Sequence, residues 1–143
     1  KCKLYIEVTN VNGGFVMKRE INIAETEWKI MEVLWQNPDI TITEIKSNLS
    51  ETGWSDSTIK TLVRRLCGKG AVSVDESKSP FVYSPVVSEK ECKIKETKSF
   101  IDKVYHGSLK LLMANLVTDS SLSRDDELKL MEIIEKMEDG EKQ

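Results

Sequence analysis

Cysteine and histidine are scarce in this chain, and their scarcity argues against several kinds of site. Among 143 residues there are three cysteines and one histidine, namely Cys2, Cys67, Cys92 and His106. The cysteines are odd in number, widely spaced and never in a Cys-X-X-Cys pair, so we expect reduced thiols rather than disulfides. A lone histidine without paired ligands gives no support to a zinc or iron site, so we expect no metal and no cofactor. We interpret His106 as a local helix cap or a surface residue.

Long apolar runs and catalytic signatures are absent as well. No stretch approaches the roughly 20 apolar residues of a membrane-spanning helix, and the N-terminus lacks the apolar core of a signal peptide. Together with the cysteine usage, this predicts a soluble protein of the cytoplasm. The sequence has no phosphate-binding loop or glycine-rich fingerprint, and His106 has no nucleophile or orienting acid close by in sequence. An enzyme is therefore not expected.

Charge is nearly balanced overall but unevenly distributed along the chain. The formal net charge is −3. Residues 60–70 carry four cations and no acid, whereas residues 119–143 hold nine acids against four bases. A basic patch remote from an acidic tail is typical of a protein that meets a polyanion with one face. A basic helix face can also be merely solvated, so the neighbouring elements must decide between the two.

The N-terminal residues predict a hairpin of unclear relation to the rest. Leu4, Ile6 and Val8 alternate with polar residues before Asn12-Gly13-Gly14, which predicts two strands joined by a turn. Met17 then opens a stretch that looks like a natural start. We hypothesise that residues 1–16 are an upstream leader or an artificial extension.

Three helical patterns follow the hairpin. Apolar residues at helical spacing predict a first helix from Ala24 to Asn37, although Ala24 is a poor cap, and a second from Thr41 or Thr43 to Leu49. The third should run from the N-cap Ser55 to about Gly68, with a buried side made by Ile59, Leu62, Val63 and Leu66. Two short helices joined by a tight turn, the second carrying the cations, predict a helix-turn-helix.

The third helix carries the candidate DNA contacts. Short hydroxyls and long cations surround its apolar side, and such groups hydrogen-bond phosphates and base edges in a major groove. The candidates are Ser57, Thr58, Lys60, Thr61, Arg64, Arg65 and Lys69.

A period of two after Gly70 predicts a β-hairpin, and hence a winged helix. Val72 and Val74 precede a turn at residues 75–80, and Phe81 and Tyr83 follow it. We expect both aromatic rings to cover the helices as part of the core. Lys78 at the tip could reach a flanking phosphate.

The C-terminal third predicts three more helices, beginning after Ser88, Ser108 and Ser123. They hold more apolar residues than three short helices can bury alone, so we predict pairing with the same segment of a second chain. The predicted dimerisation residues are Leu109, Leu112, Met113, Leu116, Leu128, Met131 and Ile134. The alternative is a monomer whose helices fold back on the winged helix.

Five segments in this order resemble the BlaI/MecI family of penicillinase and methicillin-resistance repressors, over about Ile23 to Met137. They are AETEWKIMEVLW, TITEI, WSDSTIKTLVRRL with KGAV, FVYSP, and KSFIDKVYHGSLKLLMANLV. The resemblance implies a dimeric transcriptional repressor that binds inverted-repeat operators and is released when a membrane-bound sensor leads to cleavage in its C-terminal domain. It places Ser57, Thr58, Lys60, Thr61 and Arg64 or Arg65 on the DNA-facing side.

The resemblance also implies a cleavable bond, which here is Asn115-Leu116. Phenylalanine is more usual after this asparagine, and Asn115 can equally be a polar residue at the exposed edge of a helix. The wing tip reads Glu76-Ser77-Lys78 where many members have a Gly-Arg pair. The copper-responsive branch has clustered cysteines near its C-terminus, whereas this chain ends in MEDGEKQ, so metal sensing is disfavoured.

The sequence therefore predicts a mainly α fold with a small β-hairpin, in which a winged helix-turn-helix is followed by a helical dimerisation domain. The expected divisions are a leader at 1–16, a DNA-binding domain at 17–87 and a dimerisation domain at 88–143. The predicted function is a dimeric DNA-binding transcriptional repressor that binds an inverted-repeat operator and is inactivated by proteolysis in its C-terminal domain, and the resemblance implies a role in antibiotic resistance. The alternative is a winged-helix protein-interaction module without operator specificity. Residues 60–70 hold four cations and no acid, and this favours the repressor.

Overall fold

A computed structural model describes residues 4–9, 16–119 and 122–141, and it is mainly helical with two small antiparallel sheets. The helices are α1 Glu25–Gln36, α2 Ile42–Asn48, α3 Asp56–Lys69, α4 Glu89–Tyr105, α5 Leu109–Thr118 and α6 Arg124–Glu141, with a short 3-10 turn at Ser50–Thr52. The strands are β1 Leu4–Thr9, β2 Val16–Ile21, β3 Ile40–Thr41, β4 Val72–Asp75 and β5 Val82–Pro85. The predicted fold class, a winged helix-turn-helix followed by helices, is confirmed.

The chain divides into two compact units, Lys1–Thr97 and Lys98–Gln143. The first unit includes the beginning of α4, because Cys92 is buried in its core. The ranges predicted for the leader and the two domains remain predictions. Across the described residues, no helix combines the length and the apolarity needed to cross a membrane.

The core of the first unit is assembled from the apolar sides of α1, α2 and α3. Ile30, Met31 and Leu34 of α1 are fully buried, as are Ile45 of α2 and Leu66 of α3. The predicted buried side of α3 is confirmed in full, since Ile59, Leu62, Val63 and Leu66 are all inaccessible. Burying this side leaves the hydroxyls and most of the cations of α3 in solvent.

Side chains cap the helices of the helix-turn-helix as the sequence suggests. The Thr41 hydroxyl accepts from the Glu44 amide, and the Thr41 amide donates to the Glu44 carboxylate at 2.7 Å. The Ser55 hydroxyl accepts from the Thr58 amide at 3.2 Å. Each cap satisfies an amide that the first helical turn would otherwise leave unpaired.

The wing consists of β4, β5 and the turn between them, as the sequence predicts. A third strand, which the sequence did not predict, joins this hairpin. The two-residue strand β3 pairs with β5, placing Ile40 opposite Tyr83, and β4 pairs with the other edge of β5. Tyr83 packs against the core as predicted. The same prediction is wrong for Phe81, which precedes β5 and is 46% exposed.

The predicted N-terminal hairpin is present as β1 and β2, which pair along their full length. The predicted turn at Asn12-Gly13-Gly14 lies outside the described residues. Ile21 at the end of β2 is buried in the core, and Ile6 of β1 packs against it beside Gly70. Whether residues 1–16 are a leader remains a prediction.

The helices of the second unit begin at the expected serines and expose much apolar surface. Ser108 and Ser123 accept from the amides of Leu111 and Asp126, respectively, both at 3.2 Å. Large apolar side chains exposed in this unit include Phe100, Val104, Leu109, Leu111, Leu116, Val117, Leu128, Met131, Ile133 and Ile134.

Candidate nucleic-acid interface

The surface of α3 is built around a face that lies opposite its buried side. Ser57, Thr61, Arg64 and Gly68 recur at intervals of four, three and four residues, which places them along this face. Lys60 flanks the face on the side of the wing, and all five residues are exposed. Thr58 and Arg65 flank it on the other side and are exposed too. The helix therefore presents small residues between long cations.

The hydroxyl groups at the start of α3 form a connected set. The Ser55 hydroxyl lies 3.0 Å from the Ser57 hydroxyl and 2.9 Å from that of Thr58. The Thr61 hydroxyl donates to the Ser57 carbonyl oxygen at 2.8 Å. These bonds hold short polar groups in fixed positions at the end of the helix where the dipole favours an anion.

Three cations of α3 point to solvent without an acidic partner. In the part of the chain that the structure describes, no ion pair involves Lys60, Arg64 or Arg65. The acid at the start of the helix, Asp56, is engaged by Lys46 of α2 at 3.0 Å. The positive charge of this face is therefore left available for an external anion.

Lys69, which the sequence grouped with these cations, has an acidic partner in the structure. Its ammonium lies 2.5 Å from the Glu27 carboxylate of α1 and donates to the Asn22 carbonyl at 2.8 Å. Glu27 is 2% exposed, and it also accepts from the Ala24 amide at 3.0 Å. Glu27 thus binds both the backbone amide of Ala24 and the ammonium of Lys69, so the charge of Lys69 has an acidic partner within the chain.

The wing tip is held by its own side chains. Asp75 accepts from the amide of Ser77 at 3.0 Å and from its hydroxyl at 2.5 Å, and Lys78 lies 3.8 Å from the same carboxylate. The Ser77 hydroxyl, then its amide, lowers the pKa of Asp75; desolvation opposes this shift, and the charge of Lys78 adds to it. Lys78 is exposed, so its ammonium remains within reach of a phosphate.

A groove of about 340 Å³ separates α3 from the wing. Its lining residues are Ile42, Lys60, Val63, Arg64, Cys67, Val74, Glu76, Phe81 and Tyr83. Burial raises the pKa of the Cys67 thiol, and burial followed by the charges of Cys67 and Glu76 raises that of Tyr83. Sequence reasoning missed this groove, because it depends on the unpredicted exposure of Phe81.

The other residues singled out from the sequence are the cleavage bond, the dimerisation residues, the histidine and the cysteines. Asn115 and Leu116 are exposed within α5, so the Asn115-Leu116 bond lies in a regular helix. Of the predicted dimerisation residues, Leu112 and Met113 are half-buried and the other five are exposed. His106 is a surface residue with φ of 51°, and Cys67 and Cys92 are free thiols. No group of potential metal ligands occurs among the described side chains.

Comparison with known proteins gives consistent matches over most of the chain. The penicillinase repressor family model matches residues 23–136. The penicillinase repressor of Bacillus licheniformis is 30% identical over 128 residues, which cover 89% of this chain and 100% of that protein. The methicillin resistance regulatory protein MecI of Staphylococcus aureus is 33% identical over 115 residues, which cover 80% and 94%.

A solved structure is also similar in sequence over about half of the chain. The solution structure of monomeric BlaI from Bacillus licheniformis, in complex with the blaP half-operator, is 35% identical. The match covers 50% of this chain and 88% of that chain, with a TM-score of 0.44. From the family model and the two full-length relatives, we conclude that the chain belongs to the penicillinase repressor family.

Proposed function

We propose that this chain is a DNA-binding transcriptional repressor that acts as a dimer on an inverted-repeat operator. The observation that carries the proposal is the face of α3, where Lys60 and Arg64 lack acidic partners among the described residues and flank small polar side chains. Its relatives are a penicillinase repressor and a methicillin resistance regulatory protein. The proposed location is the cytoplasm, where such an operator would be found.

In this proposal some side chains of α3 contact base edges and others contact phosphates. Ser57 and Thr61 are short enough to let the helix approach base edges, and Arg64 beside them can bind a guanine with both arms of its guanidinium. Lys60, Arg65 and Lys78 would neutralise phosphates. Thr58, held by Ser55, would donate to a phosphate near the start of the helix. Lys69 is left out because Glu27 occupies its ammonium.

The dimer is supported by the exposed apolar side chains of α5 and α6. A single described chain leaves Leu109, Leu116, Leu128, Met131 and Ile134 in solvent, which is unfavourable unless a partner covers them. Two copies related by a two-fold axis would present two α3 helices to two half-sites. We further propose that cleavage at Asn115-Leu116, triggered by a membrane sensor-protease system, separates the dimer and releases the operator.

The test is fluorescence anisotropy with a labelled inverted-repeat duplex from upstream of the protein's own gene, titrated at several salt concentrations. We expect salt-sensitive binding of two chains per duplex and clear preference over a scrambled duplex. Arg64→Ala should cost about 1–3 kcal/mol on the operator and less on the scramble, because a base contact is lost. Lys29→Ala, an exposed cation on α1, serves as the matched control and should change neither.

Weak and equal binding to both duplexes would contradict operator recognition. A binding constant that ignores salt would also do so, and it would favour the alternative of a protein-interaction module.

A further inference from the structure

The groove between α3 and the wing has an apolar lining that a DNA contact does not require. Val63 is buried, and Ile42, Val74 and Tyr83 are half-buried around it. Phe81 extends this lining and is 46% exposed. The charged phosphates of DNA gain little from such a surface, whereas an apolar molecule seated on it would remove the Phe81 ring from water.

Two cations line the same groove and make its charge positive. Lys60 and Arg64 stand four residues apart on α3 and so lie on one side of that helix. Neither has an acidic partner within residues 16–119, and Glu76 of the wing is the one acid in the described lining. The lining therefore carries a net positive charge beside its apolar surface. Arg64 can hold a carboxylate with two parallel hydrogen bonds.

The size of the groove suits a small molecule. Its volume of about 340 Å³ lies at the lower end of the roughly 300–1,000 Å³ of typical ligand pockets. The combination of an apolar lining, two cations and this volume selects a compact acid with a ring or a branched chain.

We propose that this groove is a binding site for a small apolar carboxylate, and that the bound acid excludes DNA by engaging Lys60 and Arg64. The binding itself depends only on the groove, and the exclusion of DNA rests on the function proposed above. A molecule of this class would act as an effector that weakens operator binding without cleavage of the chain.

Binding is tested on the full chain without DNA, using naphthalene-1-acetate as the probe and ¹H–¹⁵N chemical shifts as the readout. The matched neutral probe is naphthalene-1-acetamide, which has the same ring and no charge. We expect the acid to shift amides of α3 and the wing and to bind about tenfold more tightly than the amide, because one charge-assisted hydrogen bond is lost. Phe81→Ala should weaken both probes, whereas Arg64→Gln should weaken the acid alone.

Arg65→Gln is the control variant, because it removes the same charge from the same helix outside the groove. It should leave the binding of the acid unchanged. Equal affinity for the two probes, equal loss in Arg65→Gln, or shifts confined to residues 98–141 would each overturn the proposal. Arg64, Arg65 and Phe81 are all exposed, so these variants should retain the fold.

A second measurement separates this site from the proposed function. The acid is added to the complex with labelled operator, and we expect the apparent Kd for DNA to rise in proportion to occupancy of the groove. If the acid binds but DNA affinity does not change, the effector role is refuted. If the acid binds and the chain has no operator preference, the repressor function fails while the site stands. If operator binding is specific and the acid does not bind, the site fails alone.

Discussion

Lys69 differs from Lys60, Arg64 and Arg65 because it has an acidic partner in the structure, Glu27. Its ammonium lies 2.5 Å from the Glu27 carboxylate, which is buried, whereas the Lys69 side chain is 35% exposed. Removing one partner of such a pair leaves the other charge poorly solvated. Lys69→Ala should therefore lower the free energy of unfolding by about 1–3 kcal/mol, because Glu27 loses its charged partner and, among the described residues, retains the hydrogen bond from the Ala24 amide. Urea denaturation followed by far-UV circular dichroism would measure this.

Lys60→Ala provides the comparison for Lys69→Ala, because Lys60 is exposed and has no acidic partner among the described residues. It should leave the free energy of unfolding within about 0.5 kcal/mol and reduce the salt slope of DNA binding by about one. Lys69→Ala should leave that slope unchanged. A reduced slope together with unchanged stability in Lys69→Ala would restore Lys69 to the DNA interface.

Asp75 at the wing tip carries a pH dependence whose largest cause is its hydrogen bonding to Ser77. Two hydrogen bonds from Ser77 stabilise its ionised form and lower its pKa. A carboxyl group with a lowered folded-state pKa contributes stability above its unfolded pKa, and the contribution disappears as the pH falls through the folded value. Ser77→Ala should raise the pKa of Asp75, as followed by the ¹³C shift of its carboxyl carbon. A pKa that does not move would show that the Ser77 hydroxyl is not the cause.

Gly68 lies in α3, where helix stability favours alanine but a close approach to DNA would favour glycine. Glycine in a helix is less favourable than alanine by up to about 1 kcal/mol, and a Cβ at Gly68 would meet no described atom within 4 Å. Packing therefore does not explain the glycine. It lies on the same face as Ser57, Thr61 and Arg64, so we infer that the helix backbone comes close to the operator there.

Gly68→Ala should accordingly change stability and DNA affinity in opposite directions. We expect the free energy of unfolding to rise by about 0.5 kcal/mol and operator affinity to fall. Gly140→Ala in α6 is the matched control, since a Cβ there also meets open space. It should increase stability slightly and leave DNA binding unaffected. Thermal unfolding and anisotropy on the same samples give both quantities, and unchanged affinity in Gly68→Ala would contradict a close approach at this position.

The helices of the winged helix could be predicted because their signals are local. The buried side of α3 is fixed by the spacing of Ile59, Leu62, Val63 and Leu66, and its start by Ser55. Strand β3 could not be predicted, because two residues form it only by pairing with β5, about 40 positions further along the chain. Phe81 and Tyr83 are two positions apart, so alternation predicted the same face for both. Phe81 precedes β5 and is exposed, which alternation could not predict.

The sequence could predict which types of residue form the candidate site, but not every contact that these residues make. Spacing and charge identified Lys60, Arg64 and Arg65, and the structure exposes all three. The pairing of Lys69 with Glu27 joins residues 42 positions apart, so nothing near Lys69 in sequence reveals it. The exposure of Phe81, and with it the groove, depends on how the whole wing lies against α3.

The apolar residues are placed differently in the two units, and this difference supports the proposed dimer. In the first unit they form one buried core, whereas in the second unit many lie on the surface. Leu128, Met131 and Ile134 recur every three residues along α6, which sets them on one side of the helix. Such a side is typical of a helix that packs against another, and a second copy of the same chain is the partner we propose.

Placing a charge on this side distinguishes a dimer from a monomer. Met131 is 58% exposed in the single chain, so Met131→Glu should cost a monomer little stability. In a dimer it should weaken association by at least about a hundredfold, because burying an unpaired carboxylate costs roughly 3 kcal/mol or more. Sedimentation at micromolar concentration should give the mass of two chains for the wild type and of one 16.3 kDa chain for the variant.

Lys129→Glu is the control for Met131→Glu, because it changes charge on the same helix at an exposed, polar position and should leave the dimer intact. The monomeric variant should still bind a half-site, since α3 is untouched, but should lose the tight binding of two chains to the full inverted repeat. A wild type that already sediments as one chain would refute the dimer and favour helices that fold back within a monomer. A Met131→Glu variant that remains dimeric would move the interface away from this side of α6.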